Sequence, residues 1–358
     1  MTSRTLSAPL AQAFARQAAA CRHLGSPFTA MICDGIAERG LPDSKLRDLL
    51  QSWPGDPTTD GDALPVRICG ALHELVISGR DPTLASVYPP NHGAIDASFL
   101  HATVSGALER HEAFAVNCLQ RAPQTNEIRR AAALYCGLMH IAKVSGKPIV
   151  LSEICASAGL NLQVDRLRYR LQGHECGAPA SPVYLCPEWR GGPASRAVVR
   201  IVERRGCDLH PFDLGEESHR QRLLSYIWAD QHDRLARTRS ATRLALESPA
   251  TVDAAHAIDW LEARLAEIRP DNAHVIWHSI AWQDLSKHER ERGDRLIRQA
   301  GARSTANAPL YRLGMEGDGL GPGASLRLAS WPGGAEMQLA RIDFHGKWIN
   351  WLADYQQS

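Results

Sequence analysis

The stretch Pro148-Ile149-Val150-Leu151-Ser152-Glu153-Ile154-Cys155-Ala156-Ser157-Ala158-Gly159-Leu160-Asn161-Leu162 decides how this chain is read. An apolar run ends in an acid, small residues follow, and a helix-like segment begins. That order spells a strand, a tight turn and a helix start, a junction at which backbone N–H groups can approach a ligand closely. Two chemistries use such a junction. One is the binding of a nucleotide-type cofactor. The other is a serine nucleophile on an elbow, since Cys155-Ala-Ser157-Ala-Gly159 is one substitution away from G-x-S-x-G.

Upstream, the first 145 residues read as almost entirely helical. Breaks fall at Gly25-Ser-Pro27, Gly40-Leu-Pro42, Trp53–Gly61 and Tyr88–Gly93. Apolar residues recur at helical spacing over 126–145, at Ile128, Ala132, Tyr135, Leu138 and Met139. Downstream of Gly146 short apolar runs alternate with helical stretches, the signature of βα units and a largely parallel sheet. Strands are expected at 148–154, 183–187, 198–204, 251–255, 273–280, 308–314, 325–331 and 337–344. Helices are expected at 160–168, 217–226, 231–246, 257–268 and 286–300. Pro332-Gly-Gly334 between the last two strands predicts a hairpin. The expected architecture is an α/β, Rossmann-like sheet over 146–358 with a closing antiparallel C-terminal hairpin, preceded by an all-helical domain over 1–145.

Composition narrows the function classes. The 358 residues are 44% hydrophobic and 22% charged, with a net charge of +1, which makes no electrostatic case for nucleic acid. The nine cysteines show no C-x-x-C spacing, so a reducing, cytoplasmic setting is expected rather than a disulfide framework. No run of 18 apolar residues predicts a membrane span. The N-terminus lacks acids before Asp34, as transit peptides do, but reads better as an amphipathic helix with Leu10, Phe14 and Ala18 on one face. His174, Cys176, Cys186 and Cys207 match no standard zinc spacing, and no metal is expected. A small-molecule substrate is expected in preference to a macromolecule.

Candidate site residues follow from position. Glu153 ends the first strand, where open α/β sheets bind ligands. An acid there can hold a cationic amino group. Gly159 and its small neighbours permit close backbone approach. Asp208, after the second long strand, suits ribose hydroxyls, although it lies 49 residues after Gly159 (208 − 159) against the usual offset of about 20, so residues 170–195 must be an insertion. His274–Gln283 runs from a buried strand into a loop, which would bring His278, Ser279, Trp282 and Gln283 to the sheet's active edge. Gln124-Thr-Asn126-Glu127-Ile-Arg129 starts a helix with capping chemistry, and also offers Asn126 as a substrate contact and Glu127 as a catalytic acid or base.

Taken together, the 148–162 stretch, Gln124–Glu127, Arg205–Pro211, Trp228-Ala-Asp-Gln231, Trp277-His-Ser279, Ser330–Gly334 and Asp343–Gly346 resemble, over nearly the whole chain, an uncharacterised bacterial domain-of-unknown-function family. The C-terminal part further resembles class I S-adenosylmethionine-dependent methyltransferases. That resemblance implies S-adenosylmethionine as cofactor, held by Glu153, Cys155, Ser157, Gly159 and Asn161 around the turn, by Asp208 on the ribose side and by Asp259 on the adenine side. It implies substrate contacts at Asn126, Trp282 and Gln283, and His278 as the base that deprotonates the methyl acceptor. Cys155 and Ser157 depart from the pattern, standing where glycines are common. Two other functions compete with the transferase. One is a serine hydrolase using Ser157 with His345 or His278, opposed by the absence of strands before the elbow and of a His-Gly-Gly oxyanion segment. The other is a Rossmann-like binding protein without catalysis.

Overall fold

A computed structural model describes residues 5–90 and 95–353. The chain forms two compact units. One comprises residues 1–125 with 215–239, the other 126–214 with 240–358.

The first unit is helical. Its elements are α1 (Ala8–His23), α2 (Pro27–Arg39), α3 (Lys45–Gln51), α4 (Leu64–Ile77), α5 (Pro82–Ala85), α6 (Ala97–Arg110) and α7 (Glu112–Leu119). Proline opens α1, α2 and α4, where a missing N–H is harmless, and the carboxylates of Asp81 and Asp96 accept the free amides of Leu84 and Phe99 at the starts of α5 and α6. Leu10, Phe14 and Ala18 share the buried face predicted for α1 and join Ile36, Ile68 and Leu72 in one core. The 215–239 segment belongs here because Asp230 caps α2. Its carboxylate accepts from the Phe28 amide at 2.9 Å and from the Ser26 hydroxyl. That capping absorbs the Trp228–Gln231 motif.

The second unit begins with α8 (Ala131–Ser145), then β1 (Ile149–Ile154) and a 3-10 turn at Leu160–Arg166. Four short strands follow: β2 (Arg168–Leu171), β3 (His174–Gly177), β4 (Tyr184–Leu185) and β5 (Glu188–Gly191). The chain then makes β6 (Ile201–Asp208), passes through the first unit with α9 (Glu217–Ser225) and the first half of α10 (His232–Glu247), and continues with β7 (Thr251–Ala254), α11 (Ala257–Ala266), β8 (Ala273–Ser279), α12 (Lys287–Arg303), β9 (Leu310–Glu316), β10 (Ala324–Trp331), β11 (Ala335–Ile342) and β12 (Trp348–Trp351). The boundary expected at 145/146 therefore lies at 125/126. The reason is packing: α8 lies so close to the sheet that a Cβ on Gly137 would sit 2.4 Å from a Leu313 methyl.

One large, mostly parallel sheet of nine strands runs in the order β5-β12-β11-β10-β9-β8-β1-β6-β7. The five strands from β7 to β9 are all parallel. From β1 the chain moves to β6 and β7 on one side, then crosses to β8 and β9 on the other. The switch point lies between β1 and β8, where crevices open at the carboxyl ends of parallel strands. After β9 the sheet continues as an antiparallel meander, with the β10–β11 hairpin turning at Gly333 and Gly334, both at positive φ as the turn requires. β2, β3 and β4 form a separate small sheet between the 160–166 turn and β6. With β5 they make up the insertion that separates Asp208 from Gly159.

Candidate ligand site at the carboxyl edge of the sheet

All six residues of β1 are buried, and Glu153 pairs in register with Trp277 of β8 on one side and Gly206 of β6 on the other. Beyond it the backbone enters the left-handed region at every second residue: Cys155 at φ 56°, Ser157 at 56° and Gly159 at 67°. Glycine takes this conformation freely, whereas a side chain there costs of order 1 kcal/mol. Cys155 and Ser157 thus stand in a backbone shaped for glycine. Cys155→Gly is accordingly expected to stabilise the fold by about 1 kcal/mol. A urea midpoint that stays put or falls in that variant would contradict the strain.

Surrounding groups hold this turn from every side. The amide of Ala156 donates to the Cys207 carbonyl at 2.9 Å, that of Ser157 to Asp208 Oδ2 at 2.9 Å, and that of Leu160 to Asn126 Oδ1 at 3.1 Å. Gly206 lets β6 come this near, since its Cβ would fall 2.6 Å from Ala156 Cβ. At Gly159 a Cβ would meet a Val252 methyl at 2.8 Å. Asp208 also takes the His210 amide, at 3.0 Å. Both its oxygens brace backbone.

Four polar atoms are left buried here without a hydrogen-bond partner: Glu153 Oε2, Ser157 Oγ, Asn161 Oδ1 and Trp277 Nε1. Native proteins leave few such groups, and each calls for an explanation. Burial pushes the Glu153 carboxyl up to about 8, against the pull of the Asn161 and Trp277 side chains beside it and the charge of Arg130. Near neutral pH Glu153 is therefore mostly a neutral acid, and an approaching cation would ionise it.

Two strands away, Glu316 at the end of β9 organises a second cluster. Its carboxylate accepts the amides of Ala281, Trp282 and Gln283 and, at 2.7 Å, His278 Nδ1. Arg312 donates from Nε to His278 Nε2 at 3.0 Å and from Nη1 to Asp294 at 2.7 Å, and lies over the Trp282 ring. Burial holds the His278 pKa down, opposed by Glu316. These contacts fit the neutral ring with its proton on Nδ1. Gly314 makes room, since a Cβ there would fall 2.5 Å from His278 Cε1. Ile280, a branched residue at φ 47°, turns the chain out of β8.

The structure thus gathers Asn126, Glu153, Cys155, Ser157, Gly159, Asn161 and Asp208 around the turn, and His278, Trp282 and Gln283 around Glu316. Several expected roles change. Both nitrogens of His278 are committed, which leaves no free lone pair to deprotonate an acceptor. Glu127 caps the short turn Ile128–Arg130 by accepting the Arg129 amide. Asp259 lies exposed on α11, paired with Arg292. The Ser157 hydroxyl meets no histidine. Gln283 is exposed, and its side-chain oxygen accepts the Gly317 amide. Glu316 and Arg312 escaped the sequence reading, although Glu316 carried the same signal as Glu153: an acid where an apolar strand ends.

Among the described residues no cluster of three or more His, Cys, Asp or Glu side chains is placed to hold a metal. None of the described helices is long and apolar enough to cross a membrane. Residues 11–351 match DUF2332, a family described as uncharacterised proteins conserved in bacteria. The chain belongs to that family. No curated protein matches the sequence. The motifs of this DUF2332 chain cluster around the two carboxylates Glu153 and Glu316 rather than around a nucleophile.

Proposed function

We propose that the second unit is a Rossmann-like, methyltransferase-type domain that binds S-adenosylmethionine at the β1 turn and serves a transferase whose acceptor is open. The observation that carries this reading is the turn itself: three alternate left-handed residues between a buried strand-end acid and a 3-10 turn, at the sheet's switch point. The orphaned atoms fit such a ligand. Glu153 Oε2 would take the ammonium of its methionine part, Asn161 Oδ1 a further donor, and the Asp208 carboxylate at the end of β6 the ribose hydroxyls. The cofactor would supply an already activated methyl group, so the protein's work is chiefly to orient and to exclude water.

Calorimetric titration with S-adenosylmethionine and S-adenosylhomocysteine tests this directly. A ligand at about 100 times its Kd should stabilise the protein by roughly 2.7 kcal/mol. Asp208→Ala is expected to weaken binding by about 1.5–3 kcal/mol, the worth of a charged hydrogen bond, and to lower the melting point by freeing the Ser157 and His210 amides. Heat-silent titrations and unmoved melts with both ligands would reject the cofactor. One observation favours a second reading, a cofactor-binding protein without transferase activity: the commitment of both His278 nitrogens, which leaves that cluster without a free base. Binding without turnover across a broad acceptor panel would support it.

A further inference from the structure

A pocket of about 270 Å³ opens on the sheet face formed by β8 to β11, lined among others by His278, Arg312, Gly314, Ser325, Arg327 and Glu336. Register explains its walls. Arg312, Gly314 and Glu316 of β9 face Ala329, Arg327 and Ser325 of β10, and Glu336 of β11 pairs with Ala329, so these side chains share one face. The small residues Gly314 and Ala329 leave the hollow between the large ones.

Most of the charge around it is already matched. Arg312 is committed to His278 and Asp294, Glu316 to three amides and His278, and Asp318 to Arg341. Among the described residues of the lining, Arg327 and Glu336 stand without an ion pair or side-chain hydrogen bond. Ser325 is only 3% exposed, yet its hydroxyl has no partner either. A hydroxyl buried in a pocket wall and left unmatched points to a ligand group that completes it. A cation and an anion free on the same face specify a ligand carrying both charges. The volume is near the lower end of ligand pockets, which suits one small molecule.

We propose that this pocket binds a small zwitterion of the amino-acid class. The Arg327 guanidinium and the Ser325 hydroxyl donate to its carboxylate, and Glu336 accepts its ammonium. The proposal requires no S-adenosylmethionine, so the two sites can fail separately.

The test is to titrate the full chain, without cofactor, with the standard amino acids at millimolar concentration. Melting and ligand-observed NMR are the readouts. The matching acids that lack the amino group and amines that lack the carboxylate run alongside. The expected result is binding of a subset of amino acids, weakened about ten- to a hundredfold in Arg327→Gln. In Glu336→Gln the preference for the amino acid over its deaminated counterpart should disappear. Arg327 is exposed on its strand, so that variant should fold, and an unchanged melting point of the free protein verifies it. Absence of binding by every amino acid, equal binding of the deaminated acids by the parent protein, or binding that survives Arg327→Gln would each overturn the assignment.

Discussion

Glu153→Gln should melt higher than the parent protein at pH 9, match it near pH 5, and lose affinity for S-adenosylmethionine. The sign follows from linkage. The folded carboxyl titrates at about 8 and the ordinary one at 4.5. Between those values the folded state holds a proton that the unfolded chain has released, so stability falls as pH rises through this window and levels off above it. Each unit of separation is worth about 1.4 kcal/mol, which puts the loss above pH 8 at roughly 4–5 kcal/mol. Glutamine has the shape of the protonated acid and cannot ionise, so it removes that loss. For a unit of this size the gain corresponds to roughly 10 °C in melting temperature. Melts of both proteins across pH 5–9 check it, and a constant difference would show that Glu153 ionises normally in the fold. The same carboxyl makes binding pH-dependent. A cationic ligand must draw the proton off Glu153, so affinity should rise from pH 6 to pH 8 and then flatten. Below pH 8 binding should release a proton, visible as a buffer-dependent heat. A residue that weakens its own fold unless a cation arrives is what a ligand site built at the expense of stability looks like.

The parallel half of the sheet was legible because buried strands write themselves as apolar runs. Ile149–Ile154 and Ala273–Ser279 fall within the strands predicted at 148–154 and 273–280. The short strands β2, β3, β5 and β12 escaped notice. They are four residues each and mostly half-exposed or edge-placed, with too few inward residues for a period to show. The strand expected at 198–204 runs instead over Ile201–Asp208, which puts Asp208 on the strand end itself. The stretch 160–168, read as a helix, is a 3-10 turn over Leu160–Arg166. Local order also revealed the turn at 155–159, because its chemistry lies in consecutive residues. The Glu316 cluster was hidden for the opposite reason. His278, Trp282, Asp294, Arg312 and Glu316 meet only once β8, β9 and α12 have packed, and no spacing along the chain marks them as partners. His278 itself stood out, but its role depends on Arg312 and Glu316, which only the fold brings to it.

Removing that hidden carboxylate should cost the second unit much of its stability. In Glu316→Ala the amides of Ala281, Trp282 and Gln283 lose their acceptor, and the buried His278 keeps Arg312 on one nitrogen with nothing on the other. Breaking a buried, charge-assisted network from one side typically costs about 3–5 kcal/mol. The expected fall in melting temperature is roughly 10 °C for a unit of this size. Glu316→Gln should recover only part of it, because an amide has one accepting oxygen and its NH2 faces donors. The pH dependence follows from the same contacts. Burial raises the Glu316 pKa, but the hydrogen bonds from His278, Trp282 and Ala281 outweigh it and hold the group below its ordinary value. Its contribution is therefore full above pH 4.5 and disappears as pH falls through the lowered folded value. His278 works in the same direction, since its depressed pKa means that the unfolded chain takes up a proton below about pH 6.5 that the folded chain refuses. In a Glu153→Gln background, where the opposing titration of Glu153 is gone, stability should thus fall in acid in two stages, the first beginning below pH 6.5, and adding His278→Gln should blunt that first stage. Equilibrium unfolding from pH 4 to pH 8 separates the stages. A Glu153→Gln protein as stable at pH 5 as at pH 7 would mean that His278 is not held as the geometry requires. If the network does pin the Ser279–Gln283 loop, Glu316→Ala should also loosen hydrogen exchange at the Ala281 and Trp282 amides before the rest of the sheet.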